Sequence, residues 1–289
     1  MGRVRRVIVR RHVSPGAGSQ KRLIRSVQTG ALRAVDNSAI KKFNPSMLEL
    51  GDIGAPCQEK EAVAAVFDIT GFTSFCNQVD AYLAIPRFLN DFLEWFFNQV
   101  KEKITEQDYS DRSTLWAGLP MMVKFLGDGL ILLWDARHMT EEQICRLAGS
   151  FYLICRAYRA EFYPHICTVV NKPPSILRCG VARGKVFSVG NGGEYVGHCI
   201  NNASRMSRLG TLSFCFPHSG FRVSEHMPEE FQHYFIPKMV TIRGVGENEM
   251  VWVARDEFER LAPKYREMFR DVYANRTLEE SSIVNAIRI

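Results

Sequence analysis

Two aspartates stand where an acid needs a reason. Asp68 interrupts the end of Ala62-Val63-Ala64-Ala65-Val66-Phe67-Asp68-Ile69, a continuous apolar run of strand length, where an unpaired charge is costly. Asp128 sits at the tip of Gly127-Asp128-Gly129, between the apolar arms Met121-Met122-Val123-Lys124-Phe125-Leu126 and Leu130-Ile131-Leu132-Leu133-Trp134. Taken singly, Asp128 is a turn former and Asp68 caps the segment that follows. Taken together, they suggest chemistry. If the strand ending at Asp68 pairs beside the hairpin, both carboxylates emerge from one sheet edge, close enough to hold two hard cations and a triphosphate. Thr70-Gly71-Phe72-Thr73 then leads into a helix whose unpaired amides can receive phosphate oxygens, and Gly71 lets that backbone approach closely.

The surrounding pattern predicts the elements that position these residues. Ser74 to about Asp80 reads as a short helix. Pro86 opens a longer one through Phe88, Leu89, Phe92, Trp95, Phe96 and Val100, spaced by threes and fours. Thr105 to Pro120 is polar and reads as a loop, and a strand, tight turn and strand follow around Asp128. Thr140-Glu141-Glu142 is a capping signal for a helix to Tyr163. Ile176 to Ser188 reads as a strand pair, Asn201 to Leu209 as a helix, and the segments around Arg243-Gly244-Val245-Gly246 as two strands about a glycine turn. The chain after Asp256 reads as a charged amphipathic helix. This order predicts an α+β domain with helices packed on a sheet. Residues 1–58 are expected to be a partly flexible basic arm and an irregular or weakly helical lead-in, 59–256 the domain that carries both aspartates and 257–289 a helical tail.

Net charge misleads about the partner. The 289-residue chain carries +6, but residues 1–42 hold 11 Lys or Arg against the single acid Asp36, leaving 26 basic and 30 acidic groups elsewhere. The positive excess therefore belongs to the arm, which carries the hinge-like Ser14-Pro15-Gly16-Ala17-Gly18-Ser19 and little aromatic interleaving. That composition supports nonspecific phosphate contact at most, so a nucleic-acid partner is not expected. No run approaches the roughly 20 apolar residues that span a bilayer, and a cytoplasmic protein is expected. The eight cysteines lack a C-x-x-C pair and read as reduced core thiols.

Four blocks in order carry a family resemblance. Phe67-Asp68-Ile69-Thr70-Gly71-Phe72-Thr73, Lys124-Phe125-Leu126-Gly127-Asp128, Ile200-Asn201-Asn202-Ala203-Ser204-Arg205-Met206 and Arg243-Gly244-Val245-Gly246 resemble the signature blocks of the class III nucleotide cyclase catalytic domain. The last block has Arg where the family has Lys. The resemblance covers roughly residues 60 to 255 and implies a ferredoxin-like βαββαβ core sheet. It implies that Asp68 and Asp128, with the Ile69 carbonyl, ligate two Mg²⁺ or Mn²⁺ ions. Gly71, Phe72 and Thr73 would cradle phosphate, Asn201 would orient the ribose, Arg205 would stabilise the α-phosphate and Arg243 would hold the terminal phosphates. Without the resemblance, Asn201 and Arg205 are an ordinary exposed helix face. Active sites in this family form between two catalytic domains, which implies a homodimer.

The base-selecting positions implied by the resemblance are Lys124 and Glu194. A Lys donor beside a carboxylate acceptor suits a base edge offering one acceptor and one amino group, as adenine and cytosine do. Guanine and uracil would need a shift in register. Gly193-Glu194-Tyr195-Val196-Gly197-His198-Cys199-Ile200-Asn201, Leu212-Ser213-Phe214-Cys215-Phe216 and Ile242-Arg243-Gly244-Val245-Gly246-Glu247-Asn248-Glu249 are similar to the bacterial pyrimidine cyclases of Pycsar antiphage defence. That resemblance implies a cyclase making cUMP from UTP or cCMP from CTP, whose product acts on a separate effector. A soluble adenylate cyclase making cAMP and a noncatalytic nucleotide-sensing module are the alternatives.

Overall fold

The computed structural model describes residues 22–25, 32–107 and 113–272. The chain divides into two compact units, Met1–Gly51 and Asp52–Ile289. In the first, strands β1 (Arg22–Arg25) and β2 (Leu32–Val35) pair antiparallel, and helix α1 (Asn37–Lys42) follows, capped by the Asp36 carboxylate on the Ser38 amide at 2.9 Å. The lead-in expected to be irregular or weakly helical thus contains a hairpin. The hinge-like segment and most of the basic arm lie outside the described residues.

The second unit is built on a nine-stranded sheet. β3 (Glu59–Thr70) is followed by helices α2 (Phe72–Cys76) and α3 (Ala81–Ile104), and a small β4 (Thr105–Gln107) and β5 (Ser113–Leu115) hairpin stands where a loop was expected. β6 (Met122–Phe125) and β7 (Gly129–Asp135) form the hairpin around Asp128. Helix α4 (Glu141–Ala157) opens at the expected capping signal, where Thr140 and Gln143 form a capping box, then passes through a π-helical turn at Tyr158–Phe162 into α5 (Tyr163–Ile166). β8 (Ile176–Val189), β9 (Glu194–Val196), helix α6 (His198–Met206), β10 (Phe214–Pro217), β11 (Phe235–Ile242) and β12 (Gly246–Ala254) complete the main path. With a last strand, β13 (Phe269–Asp271), the sheet runs spatially β13-β11-β12-β10-β8-β3-β7-β6, with β9 on β8. The four strands β8-β3-β7-β6 and helices α3 and α4 are the expected ferredoxin-like βαββαβ core.

Three further expectations differ from the structure. α3 begins at Ala81, so Pro86 lies inside its second turn rather than opening it; the proline lacks only the bond to Tyr82, an exposed residue whose carbonyl water can satisfy. Ile176 to Ser188 is one long strand, not a pair. The segment after Asp256 forms two short helices and then β13 (Phe269–Asp271), which joins the sheet beside β11 because Phe269 is buried with Val240 and Ile242. Residues 273–289 lie outside the described residues.

Period-two alternation in β3 explains why Asp68 faces the site. Phe67 and Ile69 point into the aromatic core beneath α3 and α4, while Ala62, Ala64 and Val66 face the opposite side, packed with Leu133, Cys199 and Ala203. Asp68 and Thr70 continue that second face beyond its apolar part. Phe67 is held edge-on by Phe96 and Phe151, with ring centroids 4.8 and 5.6 Å away, contacts worth about 0.5–1.5 kcal/mol each beyond burial. A one-residue slip of β3 would exchange Phe67 for Asp68 in this core, so the register is strongly enforced.

Candidate functional site

β3 pairs antiparallel with β7 so that Asp68 lies opposite Gly129, and the Ile69 amide donates to the Asp128 carbonyl at 2.8 Å. The expectation that both aspartates emerge from one end of the sheet is therefore met. Gly127, with φ +92°, makes the tip of the hairpin. A Cβ at Gly129 would stand 2.0 Å from the Phe67 carbonyl oxygen, so only glycine lets the hairpin close on β3 here. Burial raises the Asp68 carboxyl above its ordinary value, and the neighbouring Asp128 pushes it the same way, while Arg208 and Arg178 pull it down.

These two arginines are absent from the sequence expectations. Arg178 lies directly across from Asp68 on β8 and reaches the Gly210 carbonyl at 3.3 Å. A lone charge within the apolar run Ile176–Val181 was the same kind of signal that singled out Asp68. Arg208 Nη2 lies 3.9 Å from the Asp68 carboxylate. It belongs to the turn after α6, and no pattern in the sequence marks it.

The donor set fits divalent cations shared with a nucleotide. Carboxylates and carbonyls are hard oxygen ligands, and Mg²⁺-like ions are commonly held by one or two carboxylates together with substrate phosphates. Among the described residues no group of three or more His, Cys, Asp or Glu side chains could hold a metal unaided. The buried Thr70 hydroxyl and Arg178 Nε have no hydrogen-bond partner, leaving polar capacity around Asp68 for a ligand. Gly71 follows with φ +87° and open space at its Cα, and Phe72 drives its ring into the core beside Phe75 and Phe88. Phe72 thus anchors the Gly71–Thr73 backbone.

Lys124 on β6 and Glu194 on β9 meet at 2.9 Å. Seventy residues apart in sequence, they are the pair expected to read the base. Beside Glu194, Tyr195 packs against the buried cluster that holds Val66, Met122, Leu133 and Cys199 on the α6 side of the sheet and accepts a 3.0 Å hydrogen bond from Lys60.

Helix α6 carries Asn201, which is exposed, and Arg205, half-buried one turn later. Its inner face, Cys199, Ala203 and Met206, is buried. Two glycines bring it down onto β8. A Cβ at Gly197 would meet the Lys185 carbonyl at 2.5 Å, and one at Gly180 would meet the Ala203 carbonyl at 2.0 Å. Arg205 lies against Gly244, whose added Cβ would stand 2.9 Å from its guanidinium, so Arg205 and the exposed Arg243 share one corner. Among the described residues, neither Asn201 nor Arg205 makes a hydrogen bond or ion pair with Asp68 or Asp128. The eight thiols are free; five are buried, but Cys57 and Cys167 are exposed and Cys76 is half-buried, so the expectation of core thiols holds only for the five. No described helix is long and apolar enough to cross a membrane.

The second unit has the class III nucleotide cyclase fold. Among solved structures, the guanylyl cyclase Cya2 superposes with a TM-score of 0.50 at 14% identity, over 68% of this chain and 92% of that one. The catalytic core of a rhodopsin-guanylyl cyclase with converted specificity, solved with ATPαS, also gives 0.50, at 20% identity over 70% and 100% of the two chains. These are likenesses of fold. No family model and no curated protein matches the chain.

Proposed function

We propose that the chain is a nucleotide cyclase that converts a pyrimidine nucleoside triphosphate, UTP or CTP, to its 3′,5′-cyclic monophosphate and pyrophosphate. The observation that carries the reading is the convergence of Asp68 and Asp128 at one end of β3, on a face that also carries Arg178 and α6. Asp68, Asp128 and the Ile69 carbonyl would hold two Mg²⁺ or Mn²⁺ ions. When bound, these ions would lower the pKa of the ribose 3′-hydroxyl and neutralise the departing pyrophosphate.

The remaining work is positioning and charge stabilisation by the chain. Gly71, Phe72 and Thr73 offer backbone amides to the phosphates, and Arg243 holds their terminal end. Asn201 orients the ribose, and Arg205 stabilises charge on the α-phosphate. Lys124 donates to the base and Glu194 accepts from it; their ion pair holds both groups at one place before the base arrives.

Because Asn201 and Arg205 do not contact the aspartates of their own chain, a second copy completes each site. The open edge strand β6, with exposed Val123 and Phe125 followed by exposed Leu126, supports association of two copies at this end of the sheet. The cyclic product would signal to a separate effector in antiphage defence, as the Pycsar resemblance implies. An adenylate cyclase is the second reading, favoured by the same Lys124–Glu194 pair because adenine offers it an acceptor and an amino group.

The test is incubation of the purified chain with each of the four ribonucleoside triphosphates and Mn²⁺, with products identified by mass. A cyclic pyrimidine monophosphate lost on Asp68→Ala is expected. A product from ATP alone overturns the pyrimidine assignment, and no product from any of the four overturns the enzyme. A cellular effect that survives Asp68→Ala would point instead to a noncatalytic nucleotide-sensing module.

A further inference from the structure

Arg208 is placed by a rigid support and left free at its tip. The C-terminal end of α6 rests directly on Gly180, and Ser207, Leu209 and Leu212 around Arg208 are all buried. The guanidinium itself has a side-chain exposure of 67%, against 19% for the Asp68 carboxylate it faces at 3.9 Å. That separation makes a loose ion pair without a hydrogen bond, readily exchanged for another anion. Arg178, the other positive group at Asp68, is anchored to Gly210 and half-buried. Of the two counter-charges, Arg208 is therefore the one able to move.

We propose that Arg208 is a positioning residue that couples cation binding to nucleotide binding: it neutralises Asp68 in the nucleotide-free protein and turns to the triphosphate when nucleotide enters. This rests on the reading of Asp68 and Asp128 as cation ligands. In the empty site, the Arg208 charge opposes a cation at Asp68 electrostatically, so Mn²⁺ alone binds weakly. A polyphosphate gives the guanidinium a better partner, with up to two parallel hydrogen bonds. Arg208 then leaves Asp68 to the cation and adds its charge to the phosphate side. The site is thereby biased to take cation and nucleotide together.

The experiment uses the full chain and is independent of the base. Mn²⁺ binding is followed by the electron paramagnetic resonance of the free ion, with and without inorganic tripolyphosphate. For Arg208→Ala, Mn²⁺ alone is expected to bind about three- to tenfold tighter, because one nearby positive charge is gone. The gain in Mn²⁺ affinity on adding tripolyphosphate should shrink by a similar factor, and Arg208→Lys should restore most of the wild-type behaviour. The side chain is exposed, so neither variant should lower the melting temperature. Equal Mn²⁺ affinity in wild type and Arg208→Ala, with binding abolished by Asp68→Asn, overturns the role of Arg208 and leaves the site reading standing. Mn²⁺ binding that Asp68→Asn does not change overturns the site reading, and the coupling with it.

Discussion

Gly180→Ala tests whether the seat of α6 controls the chemistry. Gly180 lies on β8 opposite Val66, and an added Cβ would stand 2.0 Å from the Ala203 carbonyl oxygen, 2.2 Å from the Ser207 nitrogen and 2.7 Å from the Met206 Cβ. Two of these neighbours are backbone atoms of α6 and its C-cap, so no rotamer change relieves the clash. Carbon–oxygen contacts ordinarily stop near 3.3 Å, so α6 must lift by more than about 1 Å. Overpacking of this kind costs about 1–3 kcal/mol, a fall in melting temperature of roughly 2–10 °C for a domain of this size. Asn201 and Arg205 ride on the same helix, and a displacement of about 1 Å costs on the order of 100-fold in rate. Calorimetry and the rate of cyclic product formation at saturating substrate read the two effects separately. A variant with wild-type melting and turnover would refute the packing argument. A destabilised variant with unchanged turnover would refute the link between α6 and catalysis.

The raised Asp68 pKa fixes the sign of a stability effect. The folded protein holds that proton more tightly than the unfolded chain does, so this group's contribution to stability is largest at low pH and is lost as pH rises through the folded value. Asp68→Asn should therefore abolish product formation yet melt above wild type at neutral pH, with the difference shrinking as pH falls through the folded value into the ordinary carboxylate range; an Asn variant less stable than wild type at pH 7 contradicts the electrostatic account. The Lys124–Glu194 pair is partly exposed and worth only about 0.2–1 kcal/mol, so Glu194→Ala should leave melting within a few degrees while changing the product ratio among the four nucleotides. An unchanged ratio removes Glu194 from base recognition.

What was legible in the sequence follows the physics of each signal. Asp68 and Asp128 were visible because a carboxylate inside an apolar run is costly unless something uses it, and their meeting followed from pairing β3 beside the hairpin. Asn201 and Arg205 rested on the family resemblance, since an exposed polar helix face has many ordinary explanations. The seventy-residue reach from Lys124 to Glu194 depends on where β9 pairs with β8 and packs over the sheet, tertiary contacts that local pattern does not encode. Arg178 carried the same signal as Asp68, a charge in an apolar strand, and was missed because its strand was divided in two. The start of α3 was misplaced because Pro86 suits a first turn, although a helix can also hold proline in its second turn when the freed carbonyl is exposed. β13 was hidden because a three-residue strand gains its place from pairing with β11, not from its own sequence.

The single long strand β8 has a consequence for how the protein is made. It hydrogen-bonds to β3, β9 and β10 and lies beneath α6. During synthesis, β3 leaves the ribosome more than a hundred residues before β8, the partner along its whole length. Until then one edge of a strand rich in alanine and valine stays open, with only β7 on the other side. Such an edge is a template for unwanted pairing with other chains. Expression at lowered temperature or with a chaperone holding nascent chains should thus affect yield more than any change at the Asp68 end of the sheet.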